Sequence, residues 1–415
     1  MRTVAVIGGG AAGMMAAVTA AAEGARVILL EHKDRIGRKI LSTGNGRCNF
    51  TNTHQEPLCY HSENPLFPWG IIEQFDAKSA ISFFLQLGVY SKNRNGYIYP
   101  NSDQASAVLD AFRMELKRLR VDIRTDIHVR EIRPRKRGFA LYTDKETVRA
   151  DRVILCTGSK AAPVTGSDGS GYDLAKRLGH RLIPVLPALV QLRCRGDFFK
   201  SIAGVRVHGT VSVWTEGTCI AKDTGEIQLT NYGISGIPVF QVSRYVSQLL
   251  YEKKPVDAVL DFLPDFTGVQ TEAFLNARAG MRPEKPADMF LIGLLHKKLS
   301  DLLIKRCVIP RDRKAGELTE AEIRRLAEQM KNFRVPVAEA NSYEQAQVCC
   351  GGIDTSEVDE KTLESRYVHG LYFAGEILDV DGMCGGYNLQ WAWASGHTAG
   401  LHAAGGDDRA DFSAE

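Results

Sequence analysis

The feature that most constrains this chain is a short apolar run followed by glycines at a fixed spacing. Residues 4–7 have the composition of a buried parallel strand, and Gly8, Gly10 and Gly13 follow in the pattern G-x-G-x-x-G. The first glycine permits a tight turn, the second lets the backbone approach a pyrophosphate, and the third lets a helix pack close to the strand. The pattern therefore predicts a strand, a turn and a helix that bind a dinucleotide.

The residues after this turn complete the same prediction. An alanine-rich helical segment ends at Gly24, residues 26–30 form a second apolar strand, and Glu31 follows 18 residues after Gly13. A carboxylate at this place accepts hydrogen bonds from ribose hydroxyls and disfavours a 2′-phosphate. The helix N-terminus, with its unpaired amides, stabilises the phosphates.

Composition limits the remaining possibilities. The chain has 415 residues, which predicts two or three domains, and its 52 basic and 49 acidic residues leave a net charge of only +3. Nothing electrostatic indicates nucleic acid or an anionic membrane. The nine cysteines have no metal-binding spacing, so we expect no metal site and reduced thiols. Without a signal peptide or an apolar run of about 18 residues, we expect a cytoplasmic protein.

A donor-rich loop begins soon after Glu31. It carries three cations that can neutralise phosphate, namely Arg38, Lys39 and Arg47. Gly44 and Gly46 allow the chain to wrap closely around a ligand, which predicts a second contact with the cofactor. Cys48 comes next in the sequence, and two interpretations of its thiol are open: it lies near a redox ring, or it is inert.

The middle of the first half reads as helices followed by strands. Asp76 is predicted to cap a helix that runs through Leu87, and Ser102 or Asp103 to cap another. Short strands are predicted near 121–124, 127–132, 139–143 and 146–149, as a β-meander. A buried strand then ends in Thr157-Gly158, and a glycine-rich turn at 166–172 opens a further helix.

A different pattern occupies the centre of the chain. Residues 189–229 alternate between apolar and polar side chains, which predicts a small antiparallel sheet or barrel, and a helix follows to Tyr251. After Pro264 the pattern is helical, and Thr319 with Glu322 forms a capping box. We expect this insert to cover the cofactor and shape the substrate cavity.

The last part of the chain returns to the cofactor. Residues 371–374 form a short strand followed by Gly375 and Glu376, where open α/β sheets place their ligands, and this acid can bind a ribityl hydroxyl. A helix is predicted from Gly386, and its N-terminus can stabilise the negative charge of a reduced flavin. Contacts from both ends of the chain favour tightly held FAD over NAD.

With these motifs in place, the chain resembles the BaiN-like and aminoacetone-oxidase-like family of FAD-dependent oxidoreductases. The matching segments lie at residues 6–14, 39–52, 165–172, 229–236 and 370–390. Two positions depart from the pattern. Ser159 stands where a glycine is common, and Cys349-Cys350 stand where Thr precedes a Gly-Gly.

The resemblance implies an α/β fold: a Rossmann-like, two-dinucleotide-fold FAD domain at 1–186 and 348–415. It also implies a β-barrel-like insert at 187–254 and 332–347 and a helical insert at 255–331. Motifs and resemblance together predict these cofactor-binding residues: Gly8, Gly10, Ala11, Ala12, Gly13, Glu31, His32, Lys33, Arg38, Lys39, Thr43, Gly44, Asn45, Arg47, Cys48, Val129, Thr157, Gly158, Gly375, Glu376, Gly386, Tyr387, Asn388 and Leu389.

The family's chemistry includes two reactions that the sequence does not separate. We rank reduction of an enone-type double bond in a steroid or bile-acid-like small molecule, with NAD(P)H as a transient reductant, above oxygen-dependent oxidation of a small amine. An RNA-modifying flavoprotein is a further alternative, against which the near-neutral charge argues. The candidates for proton transfer at the flavin are Tyr387, Tyr232 and Cys48. The oligomeric state is left open.

Overall fold

The computed structural model describes residues 1–405 and divides the chain into two compact units. The first contains Met1–Leu186 and the chain from Val348 onward, and the second is Pro187–Gln347. The first unit is thus built from both ends of the sequence.

The strands, in chain order, are β1 Thr3–Ile7, β2 Arg26–Leu30, β3 Thr51–Asn52, β4 Tyr60–His61, β5 Ser91–Arg94, β6 Tyr97–Pro100, β7 Asp122–Arg124, β8 Val129–Pro134, β9 Phe139–Thr143, β10 Thr147–Ala150, β11 Arg152–Leu155, β12 Leu186–Ala188, β13 Leu192–Cys194, β14 Arg206–Thr215, β15 Thr218–Leu229, β16 Gly233–Ser235, β17 Asp257–Asp261, β18 Phe333–Ala340, β19 Val348–Cys350, β20 Leu371–Phe373 and β21 Asp381–Gly382.

The α-helices, in chain order, are α1 Ala11–Ala22, α2 Phe67–Ile72, α3 Ala77–Gln86, α4 Ala105–Arg118, α5 Ser170–Arg177, α6 Phe199–Ile202, α7 Ile237–Tyr251, α8 Gly268–Met281, α9 Lys297–Arg306, α10 Glu320–Lys331 and α11 Tyr387–Gly405. Short 3₁₀ turns lie at Ile40–Gly46, Pro57–Cys59, Pro163–Thr165, Ala287–Met289, Ala315–Glu317 and Thr355–Glu357. No helix within residues 1–405 combines the length and the apolar character that crossing a bilayer requires.

A parallel sheet with the strand order β20-β11-β1-β2-β7 forms the centre of the first unit. After the first residue of each strand, β1 and β11 are apolar and buried, as expected for parallel strands covered on both faces. The helices α1 and α11, from opposite ends of the sequence, pack against each other. The predicted strand, helix and second strand at the start of the chain are confirmed.

The predicted meander is only partly right. Strands β8, β9 and β10 form a three-stranded antiparallel sheet, but β7 pairs in parallel with β2 and belongs to the central sheet. Residues 122–124 are too short for their pattern to identify the partner, which is chosen by tertiary packing. Strand β7 therefore completes the dinucleotide fold.

Local capping signals were predicted with mixed success. The Asp76 carboxylate accepts a hydrogen bond from the Ser79 amide at the start of α3, as predicted. The prediction that Ser102 or Asp103 caps α4 was wrong, because Gln104 occupies the N-cap and makes no side-chain cap. The Asp103 carboxylate instead forms ion pairs with Lys92 and Arg94.

The second unit contains a closed barrel with the strand order β13-β16-β15-β14-β17-β18. Strand β17 lies inside the segment 255–331 that was predicted to be helical, so that boundary was wrong. Its buried residues 258–260 pair with β14 on one side and β18 on the other. A barrel without this strand would have an open edge, which explains its place. Helical structure begins only at α8, and Thr319 with Glu322 forms the predicted capping box of α10.

Candidate cofactor-binding site

The glycine turn between β1 and α1 is tightly packed at Gly13 and open at Gly10. A Cβ atom at Gly13 would lie 1.8 Å from the carbonyl oxygen of Gly8, so the helix touches the turn there. A Cβ atom at Gly10 would have no atom within 4 Å. The backbone at Gly10, which precedes Ala11 and Ala12 at the start of α1, therefore faces open space of the kind a pyrophosphate fills.

Glu31 holds this turn in place. Its carboxylate is buried and accepts hydrogen bonds from the backbone amides of Gly9 and Lys33, both at 2.8 Å. A carboxylate has about four lone-pair positions, and His32 Nδ1 also lies 3.4 Å from Oε1, so at least one position remains for a ribose hydroxyl. Glu31 therefore supports the turn and retains the capacity that the sequence predicts for it.

His32 lies beside the second glycine-rich turn. Its Nε2 atom is buried without a hydrogen-bond partner, and the carboxylate of Asp168 lies 3.7 Å away. The His32 ring also lies 5.7 Å from that of His128, which precedes the buried residue Val129 at the start of β8. These residues form one cluster at the end of β2.

The three cationic side chains of the donor-rich loop have different surroundings. Arg38 forms an ion pair with Asp34, and Lys39 with Glu376. Arg47 is exposed at the end of the loop. The backbone of Thr43 is extended and that of Gly44 and Asn45 is left-handed, which interrupts the helical turn. The sequence predicts all these residues as cofactor contacts, and this stays a prediction.

Glu376 is the centre of a polar group contributed by distant parts of the chain. Its Oε2 atom accepts hydrogen bonds from Lys39 Nζ at 2.7 Å and from Ser159 Oγ at 3.1 Å. Cys349 is hydrogen-bonded to the Ser159 side chain, and burial raises the pKa of the Cys349 thiol to about 11. Ser159 and Cys349, which both depart from the family pattern, are thus in direct contact. Ser159 joins this pair to Glu376, the predicted ribityl-binding acid.

The start of α11 is fixed by close contacts. Gly386 has a φ of 99°, and a Cβ atom there would lie 2.6 Å from the carbonyl oxygen of Thr51, so no other residue fits. The Thr51 hydroxyl donates to Gln390 at 2.6 Å. The side-chain amide of Asn388 is hydrogen-bonded to the backbone of Gly382, and Leu389 is half-buried. These contacts fix the start of α11 against residues 49–51, at the end of the donor-rich loop.

Buried side-chain polar atoms without a hydrogen-bond partner occur at six described positions of this unit. Three of them, Asp103 Oδ1, Arg152 Nε and Thr398 Oγ1, are outside the predicted cofactor contacts. The other three belong to the predicted contacts or directly follow one, and so fit a bound cofactor: His32 Nε2, Asn49 Oδ1 and Thr157 Oγ1. An unpaired buried polar group costs about 1–3 kcal/mol, which a ligand with donors and acceptors along its length would recover. Together with the open space at Gly10, they match a long polar dinucleotide such as FAD.

Comparison with known proteins places this geometry in a family. The family model described as "HI0933-like protein Rossmann domain" matches residues 2–402. The chain belongs to this family. The HI0933-like family consists of flavoprotein oxidoreductases, and the chain is accordingly an oxidoreductase with a Rossmann-type FAD-binding domain.

Individual relatives carry more specific names. A "3-dehydro-bile acid delta(4,6)-reductase" of Clostridium scindens is 46% identical, over 97% of this chain and 99% of the relative. A "Ribosomal RNA dihydrouridine synthase" of Escherichia coli is 32% identical, over 94% and 95%. A solved 3-ketosteroid delta1-dehydrogenase of Sterolibacterium denitrificans has 11% identity and a TM-score of 0.48, covering 97% of this chain and 100% of that chain. That last likeness is too loose to assign a function.

The three predicted catalytic residues of this HI0933-like protein lie in different surroundings. Cys48 is buried, and burial raises the pKa of its thiol to about 12, so it is neutral at physiological pH. Tyr387 is also buried at the first turn of α11. Burial first, and then the adjacent Cys59, raise the pKa of its phenol. Tyr232 lies in the second unit, where the guanidinium of Arg193 is 5.1 Å from its ring centre.

Two side chains at the site were not among the predicted contacts. Asn49 directs an unpaired amide oxygen toward the start of α11, since a Cβ atom at Gly386 would lie 3.0 Å from it. Ser159 donates to Glu376. Asn49 could have been predicted as a cofactor contact, because it continues the polar sequence of the donor-rich loop. Ser159 could not, because its role depends on Glu376, which is 217 residues away in the sequence.

Proposed function

We propose that this protein is an FAD-dependent reductase that saturates a carbon–carbon double bond conjugated to a ketone. The proposed substrate is a small molecule of the steroid or bile-acid type, and the proposed reductant is NAD(P)H, which binds briefly and leaves. The proposal adds three things to the oxidoreductase assignment: the class of substrate, the bond that is reduced and the electron donor.

One observation carries the choice of substrate. The relative named as a bile-acid reductase is 46% identical and matches nearly the whole of both chains. The aligned region is 406 residues long, so it includes the insert as well as the cofactor unit. The family's other reaction, oxygen-dependent oxidation of a small amine, is therefore less well supported for this chain.

The chain's own residues would hold and orient the cofactor. Gly10 would leave room for the pyrophosphate, Glu31 would accept from ribose hydroxyls, and Glu376 would bind the ribityl chain, as their positions and contacts support. The N-terminal amides of α11 would contribute partial positive charge that stabilises a reduced flavin. When bound, FAD would supply hydride exchange with the substrate.

A proton must also reach the carbon next to the ketone. Tyr387 lies at the first turn of α11, the helix expected to face the flavin, and burial raises the pKa of its phenol, so it carries its proton at physiological pH. Cys48 is likewise protonated, with a thiol pKa of about 12, and so cannot act as a base. We infer that Tyr387, at the start of α11, is the stronger candidate for this step.

A second candidate function has a specific observation in its favour. The Escherichia coli relative named as a ribosomal RNA dihydrouridine synthase is 32% identical over 94% of this chain. Both names describe products in which a double bond conjugated to a carbonyl is saturated, in a uracil ring or in a 3-oxo steroid. The absence of a nucleic-acid partner stays a prediction, supported by the net charge of +3.

The experiment is a direct competition of substrates. Purified protein with FAD and NADH or NADPH is given a 3-oxo-Δ4 steroid, ribosomal RNA lacking dihydrouridine, or aminoacetone in air. We expect the saturated 3-oxo steroid by mass spectrometry. Dihydrouridine formation without steroid reduction would replace the proposal with the second candidate, and peroxide formed only with aminoacetone would replace it with an amine oxidase.

A further inference from the structure

The antiparallel hairpin of β5 and β6 places aromatic and basic side chains beside the donor-rich loop. Tyr97 is 36% exposed, and Tyr99 is half-buried with the guanidinium of Arg94 5.6 Å from its ring centre. Arg47, at the end of the loop, is close enough to act electrostatically on Tyr99. We call Arg47, Tyr97 and Tyr99 the hairpin rim.

The hairpin rim adjoins the start of α11. A Cβ atom at Gly385 would lie 2.7 Å from Cε1 of Tyr97, and one at Gly44 would lie 3.6 Å from Cε1 of Tyr99. The Asn52 side chain, from the strand next to β6, donates to the Gly385 carbonyl at 3.0 Å. The rim therefore borders both backbone segments that the cofactor is expected to contact.

The acid beside the rim is shared among several cations. The Oδ2 atom of Asp103 lies 2.5 Å from Lys92 Nζ and 2.8 Å from a guanidinium nitrogen of Arg94. The hydrogen bond from Lys92 chiefly lowers the pKa of Asp103, and the more distant charge of Arg47 adds to this effect. Within residues 1–405, the exposed guanidinium of Arg47 forms neither an ion pair nor a hydrogen bond, so its N–H donors are available beside the half-buried Tyr99.

We propose that the hairpin rim is the carboxylate subsite of the substrate pocket: Arg47 binds the acid group of a flat, apolar carboxylic acid whose rings pack on Tyr97. This inference rests on the proposed function and reassigns Arg47, which the sequence predicts as a cofactor contact, to the substrate. A guanidinium matches a carboxylate through paired N–H donors. A single free cation suits one anionic group per ligand, whereas RNA needs several.

The expected effect is moderate, because the Arg47 guanidinium is exposed and its ion pair is screened by water and salt. Loss of one such charge-assisted contact corresponds to about a tenfold loss of affinity. The effect is specific to charge, which separates it from a general loss of the site.

The experiment compares a 3-oxo-Δ4 steroid carboxylic acid with its neutral methyl ester. Arg47→Gln is tested against Arg137→Gln, which removes an equally exposed arginine from the turn between β8 and β9. The measurements are FAD content, KM for both steroids, and the change in flavin absorbance when each steroid is titrated without reductant. We expect a KM for the acid about tenfold higher in Arg47→Gln only, with ester and FAD content unchanged.

Two results of this comparison would overturn the inference. Loss of FAD in Arg47→Gln would return this residue to the cofactor, and equal effects on acid and ester would remove the charge argument. If the wild type reduces neither steroid, the proposed function fails. The titration still decides the inference, since a preference for acid over ester that depends on Arg47 supports it and no preference contradicts it.

Discussion

Lys39 Nζ lies 2.7 Å from Oε2 of Glu376, joining the loop after the dinucleotide motif to the end of β20 across 337 residues of sequence. Both side chains are largely shielded from water, with 23% and 16% of their surfaces exposed. The ion pair fixes the position of the predicted ribityl-binding acid.

Replacing Glu376 is expected to weaken FAD binding. Glu376→Ala removes the charge-assisted hydrogen bonds expected between this carboxylate and the ribityl hydroxyls of FAD, of about 1.5–3 kcal/mol each. We therefore expect FAD affinity to fall about tenfold or more. FAD retained after dialysis measures this, with Glu131→Ala, which breaks the exposed pair with Arg133, as control. Equal FAD content in both variants would show that Glu376 does not hold the cofactor.

Gly10 and Gly13 are expected to respond oppositely to an added side chain. At Gly10→Val the new atoms enter open space, so the apoprotein should keep its melting temperature while FAD binding is lost. At Gly13→Ala the new Cβ would overlap the Gly8 carbonyl, which should destabilise the fold by about 1–3 kcal/mol or more. Thermal melts of the FAD-free variants distinguish the two. Normal FAD binding by Gly10→Val would contradict the site.

Thiol reactivity should follow burial. The exposed Cys219 is expected to react quickly with a disulfide reagent in the folded protein. Cys48 should stay unreactive up to about pH 9, because its thiol is buried and has a pKa of about 12. Cys219→Ser should remove the fast phase, and peptide mapping after labelling identifies the sites. Rapid labelling of Cys48 would show that this loop opens.

A buried histidine should make stability depend on pH. His180 lies between Glu357 at 3.2 Å and Ser365 at 2.8 Å, and burial lowers its pKa below the ordinary value of 6.5. Between these two pKa values the unfolded chain binds the proton more readily, so the free energy of unfolding should fall as pH drops below 6.5. Denaturant titrations at pH 7.5 and 5.5 should show a smaller fall for His180→Gln than for the wild type. The exposed His54→Gln serves as control and should behave as the wild type. An equal fall in all three proteins would contradict this role.

Features encoded by neighbouring residues could be predicted from the sequence. The glycine turn and the caps at Asp76 and Thr319 depend on residues a few positions apart, so their patterns were sufficient. The sheet to which β7 belongs, and the strand β17 inside a helical segment, depend on pairing with distant strands. Short strands carry too little pattern to specify such partners.

The same limit applies to the site. The sequence identified Glu376 as an acid at the end of a strand but not its contacts with Lys39 and Ser159, which are 337 and 217 residues away. Proximity of such residues is a product of the whole fold. Their chemistry could therefore be anticipated, while their partners could not.

The central claim is tested most directly by following the flavin absorbance of the purified protein without oxygen. NADH or NADPH should bleach the bound FAD, and a 3-oxo-Δ4 steroid added next should restore the colour while its double bond is saturated. Failure of both nicotinamides to bleach the flavin, or a bleached flavin that the steroid leaves unchanged, would contradict the account.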